Sequence, residues 1–532
     1  MHLFKKIKNY FLISKKPSKY TLFIILLLGF ILRTYNLPSS ITLDESVSLQ
    51  IATQSILTVI FFFDPTPPLY YLFLRIWSYI FTGLSGAYSL SIIFGVANIY
   101  LIYILTKLIS NKYTAYVASF LTAISPPLIF YSQELRSYSL FFLLTTLTTY
   151  LFFCYIKSKY ELKKISLFDK FPANTKKIYF LLIVLSSLLL YTHLYSVFII
   201  SAMMITYFFF SIKYKKNMYS PFYTSILLLL IYSPWLIRTY QLIIAKEASW
   251  IVKPNIDNLI YLANTLVINQ LSSHIVTPII LILGLLVLYS FKSKNKYVFA
   301  LLFIASFTAL VPFIISLLLR PFFTEKYALV IIVLLIPIIS ISLTSLKSKK
   351  LALTLFLAIA LTLFLFSIIQ GNTSLKEDWK TTHEITKNLL IEEQYYKIII
   401  YPYYNALPYS YYSNNSCFEK KIKPVFTVYE LNNSSHTNIY DCLAENNVLA
   451  LKNKNIVLPK KFIFITDNSI KSQEGQEILK KLQKNHNLTL INKNILHQSK
   501  LFPRIYGVLN KNKYNYEYFN IIYSYKAIKH ND

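Results

Sequence analysis

The chain has 532 residues, of which 55% are hydrophobic and only 14% are charged, whereas soluble domains carry about a quarter charged residues. Its formal net charge of +31 could suit a nucleic-acid-binding protein, but most of that charge lies in short lysine-rich loops between apolar stretches. Loops of this kind face anionic lipid headgroups. The composition therefore excludes an ordinary soluble enzyme, argues against nucleic-acid binding and predicts a polytopic α-helical membrane protein.

Eleven apolar stretches approach the roughly 20 residues that cross a bilayer. They cover residues 20–32, 87–106, 113–130, 137–156, 178–193, 194–212, 222–238, 275–291, 297–319, 327–346 and 351–369. We interpret the first as a retained helix rather than a cleaved signal peptide, because no small-residue cleavage site follows it. The pattern predicts about 11 transmembrane helices in a domain that spans residues 20–369.

The placement of the lysines predicts how these helices are oriented. Six lysine groups alternate with pairs of apolar stretches, which places all six on one side of the membrane: Lys5 to Lys19, Lys107 and Lys112, Lys157 to Lys177, Lys213 to Lys216, Lys292 to Lys296, and Lys347 to Lys350. A one-sided lysine excess marks the cytoplasmic loops. Residues 1–19 are therefore predicted to be cytoplasmic. Residues 370–532, after an odd number of passes, are predicted to lie outside the cytoplasm.

Two of the loops on the outer side are long. The first, residues 33–86, contains two stretches, 44–63 and 67–81, that we predict to be helices in the membrane interface, where aromatic-rich amphipathic segments are stable. The second covers residues 239–274. The outer face therefore carries an extended surface before the tail begins.

From about Lys376 the composition changes, because polar residues increase and the apolar runs shorten. Four strands are predicted, at residues 397–401, 447–451, 462–466 and 488–491, and two helices, at 379–393 and 474–484. The tail is therefore predicted to be a small extracytoplasmic α/β domain. Cys417 and Cys442 both lie in it, and whether they form a disulfide stays open. Cys154 lies inside a predicted span, where packing explains it.

Most other charged residues of the transmembrane region are also sorted by side. Every arginine of residues 1–370, and seven of their nine acidic residues, lie outside the lysine groups, on the outer side. They are Arg33, Arg75, Arg136, Arg238, Arg320, Asp44, Glu45, Asp64, Glu134, Glu247, Asp257 and Glu325. The positive-inside rule concerns lysine and arginine on the cytoplasmic side, so it does not explain this second pattern. A functional site at the outer face would explain it.

The motif Leu43-Asp44-Glu45 follows the first apolar stretch. Two adjacent carboxylates at a membrane interface are costly and are functional candidates by default. The alternative is that they only cap the following helix, since aspartate is a good N-cap and acids suit a helix N-terminus. The motif by itself leaves both interpretations open.

Five further motifs follow in order on the outer side: Asp64-Pro65-Thr66-Pro67-Pro68-Leu69-Tyr70-Tyr71, Tyr131-Ser132-Gln133-Glu134-Leu135-Arg136-Ser137-Tyr138, Tyr191-Thr192-His193, Pro234-Trp235-Leu236 and Arg320-Pro321-Phe322-Phe323-Thr324-Glu325-Lys326-Tyr327. The series resembles the GT-C membrane glycosyltransferases that use polyprenyl-phosphate sugars. It is most similar to the branch that contains protein O-mannosyltransferases and lipid A aminoarabinose transferases. The resemblance covers residues 20 to about 385 and ends at Glu377-Asp378-Trp379-Lys380, where such proteins pass into a soluble outer domain.

This resemblance implies the GT-C fold and an inverting enzyme whose site lies between the outer membrane face and the first long loop. Asp44 would be the catalytic base for an acceptor hydroxyl, with Glu45 beside it for positioning or acceptor contact. The donor phosphate would be held by Arg136, Arg320 and Lys326. The family usually has arginine where Lys326 stands, and lysine lacks the planar fork of a guanidinium. The candidate substrate contacts are Asp64, Glu134, Tyr138 and His193.

Several of these side chains have a second explanation. Arg33 and Arg75 could only anchor interfacial helices by snorkelling, and Glu134 could pair with Arg136 or another cation. His193 could be a helix-end histidine with satisfied hydrogen bonds, a metal ligand or an acceptor contact. Some relatives bind a divalent metal ion near the site, but the sequence shows no convincing ligand set, so metal dependence stays open.

Two other functions remain as alternatives. Transfer of a whole oligosaccharide to asparagine is disfavoured because the Trp-Trp-Asp signature of those enzymes is absent and the four tryptophans stand apart. A non-catalytic lipid-linked-sugar transporter or membrane scaffold is disfavoured because transporters place charges at the midplane, often in repeated halves. No Walker A or glycine-rich nucleotide motif occurs among the eight glycines, so a nucleotide cofactor is not expected. The leading function is transfer of one sugar from a polyprenyl-phosphate donor to a hydroxyl of a protein, glycan or lipid.

Overall fold

A bundle of helices forms the first two-thirds of the chain, and strands of a small mixed sheet follow it. The computed structural model describes residues 20–61, 66–161, 165–168, 171–244, 251–269, 276–372, 378–384, 398–401, 405–412, 449–450, 461–466, 486–495 and 519–527. The bundle contains α1 (Thr21–Thr34), α2 (Leu43–Thr53), α3 (Ile56–Phe61), α4 (Leu69–Ile80), α5 (Gly83–Ile109), α6 (Lys112–Ala123), α7 (Pro126–Ser132), α8 (Tyr138–Tyr160), α9 (Thr175–Leu190), α10 (Ser196–Lys213), α11 (Tyr219–Ile244), α12 (Ile256–Ile268), α13 (Thr277–Tyr289), α14 (Lys296–Leu318), α15 (Glu325–Ala328), α16 (Ile332–Ser345) and α17 (Lys349–Asn372).

Within the described residues, seven helices are long and apolar enough to cross a membrane. They are α5, α8, α10, α11, α14, the continuous run from α15 through α16, and α17. The bent pair α6 and α7 makes an eighth if it is counted as one span, and α1, α12 and α13 are shorter apolar helices. The protein is therefore a multi-pass membrane protein, as predicted. Each of the eleven predicted stretches coincides with helix, but eleven as the number of spans stays a prediction.

Burial separates the central helices from the peripheral ones. Of the most apolar 18 residues of α8, 89% are buried, against 28% for α11 and 33% for α17. The helix α5 packs against both α6 and α8, and α8 packs in turn against α9. We infer that α8 lies at the centre of the bundle, while α11 and α17 expose apolar side chains to lipid.

Three features of the bundle differ from the sequence prediction. The stretch 113–130 is not one helix, because the chain bends by 59° between α6 and α7. The outer loop 239–274 contains the apolar helix α12, which was not predicted. The lysine-rich segment after α8 forms a short antiparallel hairpin, β1 (Ile165–Leu167) and β2 (Phe171–Ala173). The bend falls at Pro126 and Pro127, which have no N–H to continue α6. The helix α12 and the hairpin are short elements that depend on packing against neighbours more than on their own periodicity.

The first outer loop contains three helices rather than the two that we predicted. The predicted piece 44–63 is interrupted at Gln54 and Ser55, which separate α2 from α3, and α4 forms the second piece. The helix α2 begins with a capping box, in which the Thr42 side chain accepts from the Glu45 N–H and the Glu45 carboxylate accepts from the Thr42 N–H. This reciprocal cap fixes where the helix starts.

The described part of the tail forms a five-stranded mixed sheet. Its strands are β3 (Ile398–Tyr401), β4 (Leu449–Ala450), β5 (Lys461–Thr466), β6 (His486–Ile495) and β7 (Phe519–Ala527), in the order β4-β3-β5-β7-β6. The four predicted strands are confirmed, and β7, antiparallel to both its neighbours, was missed. Residues 379–384 of the first predicted helix are helical, and a short helix α18 (Ala406–Tyr412) follows β3. The predicted helix at 474–484, Cys417 and Cys442 lie outside the described residues.

Candidate active site

Three other segments of the chain converge at the N-terminus of α2. The Leu135 N–H, in the turn between α7 and α8, donates to Glu45 at 3.1 Å. Arg136 donates to the Asp44 carbonyl at 3.3 Å, and the Lys326 amine lies 3.5 Å from the Asp44 carboxylate. The turn between α9 and α10 joins the same place, because the His193 ring packs 5.0 Å from the Tyr327 ring. The structure therefore brings together residues that are far apart in sequence.

Glu45 is fully buried, and its carboxylate is occupied by structural hydrogen bonds. One oxygen accepts from the Thr42 N–H at 2.9 Å. The other accepts from the Tyr88 hydroxyl and the Leu135 N–H, both at 3.1 Å. These bonds connect α2 to α5 and to the turn before α8. Glu45 is therefore built to hold the Asp44 backbone in place.

Replacing Glu45 with glutamine tests this structural role. The amide nitrogen cannot accept hydrogen bonds, so one buried donor among Thr42 N–H, Tyr88 hydroxyl and Leu135 N–H would lose its partner. We expect the free energy of unfolding to fall by about 1–3 kcal/mol, measured as a lower Tm of the purified protein in detergent. Asp44→Asn is the control and is expected to leave Tm near the wild-type value. An unchanged Tm in Glu45→Gln would contradict the assignment.

Asp44 differs from its neighbour because its carboxylate stays accessible, with 52% of the side chain exposed. It does not serve as the N-cap of α2, since Thr42 fills that position. Desolvation raises the pKa of Asp44, but the charges of Lys326 and Arg136 and the hydrogen bond from Lys326 outweigh it and lower the pKa to about 2. Asp44 is therefore an accessible carboxylate that stays ionised at physiological pH.

Arg136 bridges the first outer loop and the turn before α8. Its guanidinium donates to the Tyr71 hydroxyl at 3.2 Å, to Thr66 Oγ1 and Ser48 Oγ at 3.4 Å, and to the Asp44 carbonyl. These four acceptors are neutral oxygens, three on side chains and one on the backbone. All four hydrogen bonds are long, at 3.2 to 3.4 Å. These contacts hold the guanidinium beside Asp44, where its charge helps to lower the pKa of that carboxyl.

Arg320 lies on the segment that connects α14 to α15, and Lys326 lies in the first turn of α15. The N–H groups of Phe322 and Phe323 donate to Ser316 Oγ, which ties this segment to the end of α14. Glu325, beside Lys326, accepts from the Asn258 side chain of α12 at 2.6 Å. Arg320 is half-buried just beyond the end of α14. The contacts place Lys326 directly at Asp44.

Tyr138 and His193 form part of an aromatic wall beside these charges. The His193 ring stacks on Phe141 at 4.6 Å and lies 5.8 Å from the ring of Tyr138. His193 Nδ1 accepts from the Tyr195 N–H at 3.2 Å. This geometry favours the explanation of His193 as a histidine with satisfied hydrogen bonds in the turn that follows α9.

The remaining predicted site residues are placed less directly. Glu134 is half-buried in the turn between α7 and α8, next to Leu135 and Arg136. Asp64 lies outside the described residues. Among the residues that the structure describes, no three His, Cys, Asp or Glu side chains come together as a metal site, and the Glu45 carboxylate already serves the hydrogen bonds given above. The described residues therefore do not provide a metal ligand set.

The snorkelling interpretation is wrong for Arg33, which is buried. For Arg75 the structure adds hydrogen bonds to the backbone of the first outer loop. Arg33 is 1% exposed and lies inside the bundle. Arg75, on α4, donates to the carbonyls of Ala52 and Gln54 at the end of α2. Each arginine therefore donates hydrogen bonds to backbone carbonyls of another segment.

Comparison with solved structures connects this arrangement to a known fold. ArnT from Cupriavidus metallidurans in the apo state has a TM-score of 0.56 with the chain at 8% identity, and the match covers 95% of this chain and 97% of that one. The chain has the GT-C fold. The same ArnT bound to undecaprenyl phosphate has a TM-score of 0.54, also at 8% identity and with the same coverage.

A second GT-C protein is also similar. The Archaeoglobus fulgidus oligosaccharyltransferase, tethered to an acceptor peptide that contains the NVT sequon, has a TM-score of 0.50 at 14% identity, over 85% of this chain and 70% of that one. No protein-family model and no curated protein matches the sequence. At these identities the similarity establishes the GT-C fold, and the roles of individual residues depend on the geometry of this chain.

Sequence reasoning missed several residues that shape the site. Thr42, Ser48, Tyr71 and Tyr88 all contact Asp44, Glu45 or Arg136 through the bonds described above. The spacing Thr42-x-x-Glu45 is a capping-box signature and could have identified Glu45 as the capping residue. Tyr71 belongs to the motif that begins at Asp64 but was given no role there, and Ser48 and Tyr88 carry no such local signal.

Proposed function

We propose that the protein is an inverting glycosyltransferase that moves one sugar from a polyprenyl-phosphate donor to a hydroxyl of a protein, glycan or lipid. The reaction takes place at the extracytoplasmic face of the cell membrane. The observation that carries the proposal is the accessible, ionised carboxylate of Asp44 beside the cations Lys326 and Arg136. A base next to two cations suits a reaction in which an acceptor loses a proton while a phosphate leaves.

In the proposed reaction the acceptor hydroxyl attacks the anomeric carbon of the donor sugar. The acceptor O–H bond breaks and its proton passes to Asp44. The bond between the anomeric carbon and the phosphate oxygen breaks on the opposite side, and its electron pair leaves with the polyprenyl phosphate. Arg136 and Lys326, with Arg320 shortly before Lys326 in the sequence, stabilise the charge that develops on that phosphate. Direct displacement inverts the anomeric configuration.

Lys326 has to serve both the base and the leaving group. Its amine lies 3.5 Å from the Asp44 carboxylate and contributes to the low pKa of that group. A donor phosphate would compete for Lys326 and Arg136 and would partly neutralise them. The pKa of Asp44 would then rise, and Asp44 would become a stronger base when the donor is in place.

Lys326→Gln tests the electrostatic part of this proposal. The substitution removes the positive charge and the hydrogen bond that lower the pKa of Asp44, so that pKa rises from about 2 toward its ordinary value. A carboxylate with a lowered pKa keeps its base form until the pH falls through that pKa. Activity of the variant should therefore decline at a higher pH than activity of the wild type.

The measurement is kcat/KM for the donor from about pH 2 to pH 8, which reports groups of the free enzyme. Lys253→Gln, an exposed lysine on the outer side, is the control and should keep the wild-type profile. If the acid limb of Lys326→Gln coincided with that of the wild type, Lys326 would not set the basicity of Asp44.

The structural neighbours give the donor and acceptor classes on which we base the proposal. One neighbour binds undecaprenyl phosphate and another is tethered to an acceptor peptide. We favour single-sugar transfer because the Trp-Trp-Asp signature of oligosaccharide transfer is absent from this sequence. The transporter or scaffold alternative has no need of a base paired with cations at one face.

The function is tested by comparing lipid-linked sugars and surface glycans in wild-type cells and in cells that lack the protein. We expect one polyprenyl-phosphate sugar to accumulate and one glycan to lose a single residue. Loss of a whole oligosaccharide would favour en bloc transfer. Solute movement by purified protein in vesicles, with unchanged glycans in cells, would favour the transporter.

We also propose that residues 1–19 are cytoplasmic, that residues 20–369 form the catalytic domain and that the extracytoplasmic domain 370–532 contributes to acceptor recognition. Supporting contacts join its start to the chain before Asp44. Ser40 Oγ accepts from the Trp379 N–H at 2.9 Å, and the Tyr412 hydroxyl accepts from the Ile41 N–H at 2.9 Å. An acceptor held by this domain would therefore lie near Asp44.

Deleting residues 413–532 should test the acceptor role while keeping these contacts. We expect the shortened protein still to hydrolyse the donor or to transfer its sugar to small alcohols, but to lose its preference for the natural acceptor. The preference is measured as the ratio of kcat/KM for the natural acceptor to kcat/KM for a small alcohol. The full chain is the control. An unchanged ratio in a folded deletion protein would remove acceptor recognition from the tail.

A further inference from the structure

We propose that Arg33 is a positioning residue that sets the orientation of Arg136 toward the donor phosphate from inside the membrane bundle. It rests on the proposed function, because it concerns the donor site of that reaction. The observation is a fully buried arginine bonded across the bend between α6 and α7. Arg33 itself does not contact the reacting groups.

The bend between α6 and α7 removes two backbone hydrogen bonds. In a continuous helix, the carbonyls of Thr122 and Ala123 would accept from the N–H groups four residues later. Those positions are Pro126 and Pro127, which have no N–H. Two carbonyls inside the apolar bundle therefore need donors from elsewhere, since unsatisfied backbone groups in a membrane are costly.

Arg33 supplies both of these donors. One terminal nitrogen donates to the Ala123 carbonyl at 3.1 Å and the other donates to the Thr122 carbonyl at 3.3 Å. The first also donates to the Gly29 carbonyl at 3.0 Å, and Nε donates to Ser132 Oγ at 3.2 Å. A single guanidinium therefore joins α1, the end of α6 and the end of α7. The planar fork of arginine suits two adjacent carbonyls in a way that a lysine amine does not.

The surrounding helices leave space for this guanidinium. A Cβ on Gly95 of α5 would lie 2.9 Å from Arg33 Nε and 2.1 Å from Ser132 Oγ. Any larger residue at position 95 would therefore displace the arginine or the end of α7. A buried ionisable group in a membrane bundle is costly, which makes it a functional candidate.

A short series of contacts connects Arg33 to the candidate donor site. Ser132 is the last residue of α7, and the next residue, Gln133, donates from its side chain to the Arg33 and Tyr35 carbonyls at 3.1 and 2.9 Å. Leu135 then donates to Glu45, and Arg136 donates to the Asp44 carbonyl. Because α7 is only seven residues long, a rotation at the bend would move the turn that carries Arg136.

The first test is a double-mutant cycle of Arg33→Gln and Arg136→Gln, with KM measured separately for donor and acceptor. We expect Arg33→Gln to raise the donor KM about tenfold, to leave the acceptor KM unchanged and to add nothing in the Arg136→Gln background. Arg33→Lys should restore part of the loss. Arg238→Gln, an arginine that bonds to Gln241 of its own helix, is the matched control. Multiplicative effects in the double variant would overturn the proposal.

The second test reports the turn itself and needs no activity. A cysteine at position 134, introduced as Glu134→Cys in a protein with Cys417→Ser and Cys442→Ser, is labelled from the outer side with a membrane-impermeant thiol reagent, with and without Arg33→Gln. We expect the labelling rate to change severalfold when Arg33 is replaced. An unchanged rate would overturn the inference even if Arg136 binds the donor.

The two tests also separate this inference from the proposed function. If the labelling rate changes while Arg136→Gln leaves the donor KM unaltered, the turn is positioned by Arg33 but does not hold the donor phosphate. Should Arg33→Gln fail to fold, Gly95→Ala displaces the guanidinium while keeping its charge, and the same labelling and KM outcomes apply to it.

Discussion

Asp44→Asn is expected to lower kcat by about 10²- to 10⁴-fold, the range that a general base contributes. The asparagine keeps the shape of the side chain but cannot take the proton from the hydroxyl of the acceptor. The donor KM should change little, because Arg136 and Lys326 remain. The measurement is steady-state transfer of a labelled sugar from a polyprenyl-phosphate donor by purified protein.

Asp257→Asn is the control for this prediction, because Asp257 is also an acidic residue in the first turn of an outer helix. It is expected to keep wild-type kcat. Equal rates for Asp44→Asn and the wild type, with the variant folded, would remove Asp44 as the base and would leave it only its ion pair with Lys326.

Arg136→Gln is expected to lower kcat/KM for the donor by about 10²- to 10³-fold, similar to the loss of one charge-stabilising donor in other enzymes. The glutamine can still bond to Tyr71 or Ser48, but it has no charge for the leaving phosphate. Arg136→Lys should recover part of the loss, since it restores the charge without the fork. Transfer is measured with the donor varied and the acceptor saturating.

The control for Arg136 is Tyr71→Phe, which removes one acceptor of the guanidinium and keeps its charge. It should cost less than tenfold. If Arg136→Gln changed the acceptor KM and left the donor KM unaltered, Arg136 would belong to the acceptor side of the site.

The fold of the protein was largely predictable from the sequence, whereas the side of the membrane on which each loop lies stays a prediction. A helix in lipid must satisfy its own backbone groups, so each span has to be a long apolar stretch that sequence inspection can find. The four predicted strands of the tail were also recovered, because each is a compact apolar run. The short elements were the ones missed, such as the hairpin β1–β2 and the helix α12, which depend on packing.

The site was predictable in its residue types and only partly in its roles. The Asp44-Glu45 pair was recognisable as a motif, and the resemblance implied that Asp44 is the base, but the residues alone gave no physical reason to distinguish the two carboxylates. The structure distinguishes them, because Tyr88 and the Leu135 N–H bind Glu45 and leave Asp44 accessible. Those partners come from 43 and 90 positions away along the chain, a distance at which local patterns carry no information.

The sequence by itself determined that the chain crosses a membrane several times, that its lysines gather on one side and that its carboxylates and arginines gather on the other. Span length and charge placement are local properties set by the bilayer. Only the tertiary structure decided that Asp44 is the accessible carboxylate and that Lys326, 282 positions away along the chain, contacts it. It also decided that Arg33 donates to the carbonyls at the bend between α6 and α7. These depend on which helices pack together, because a buried polar group is satisfied by whatever donor or acceptor the packing brings to it.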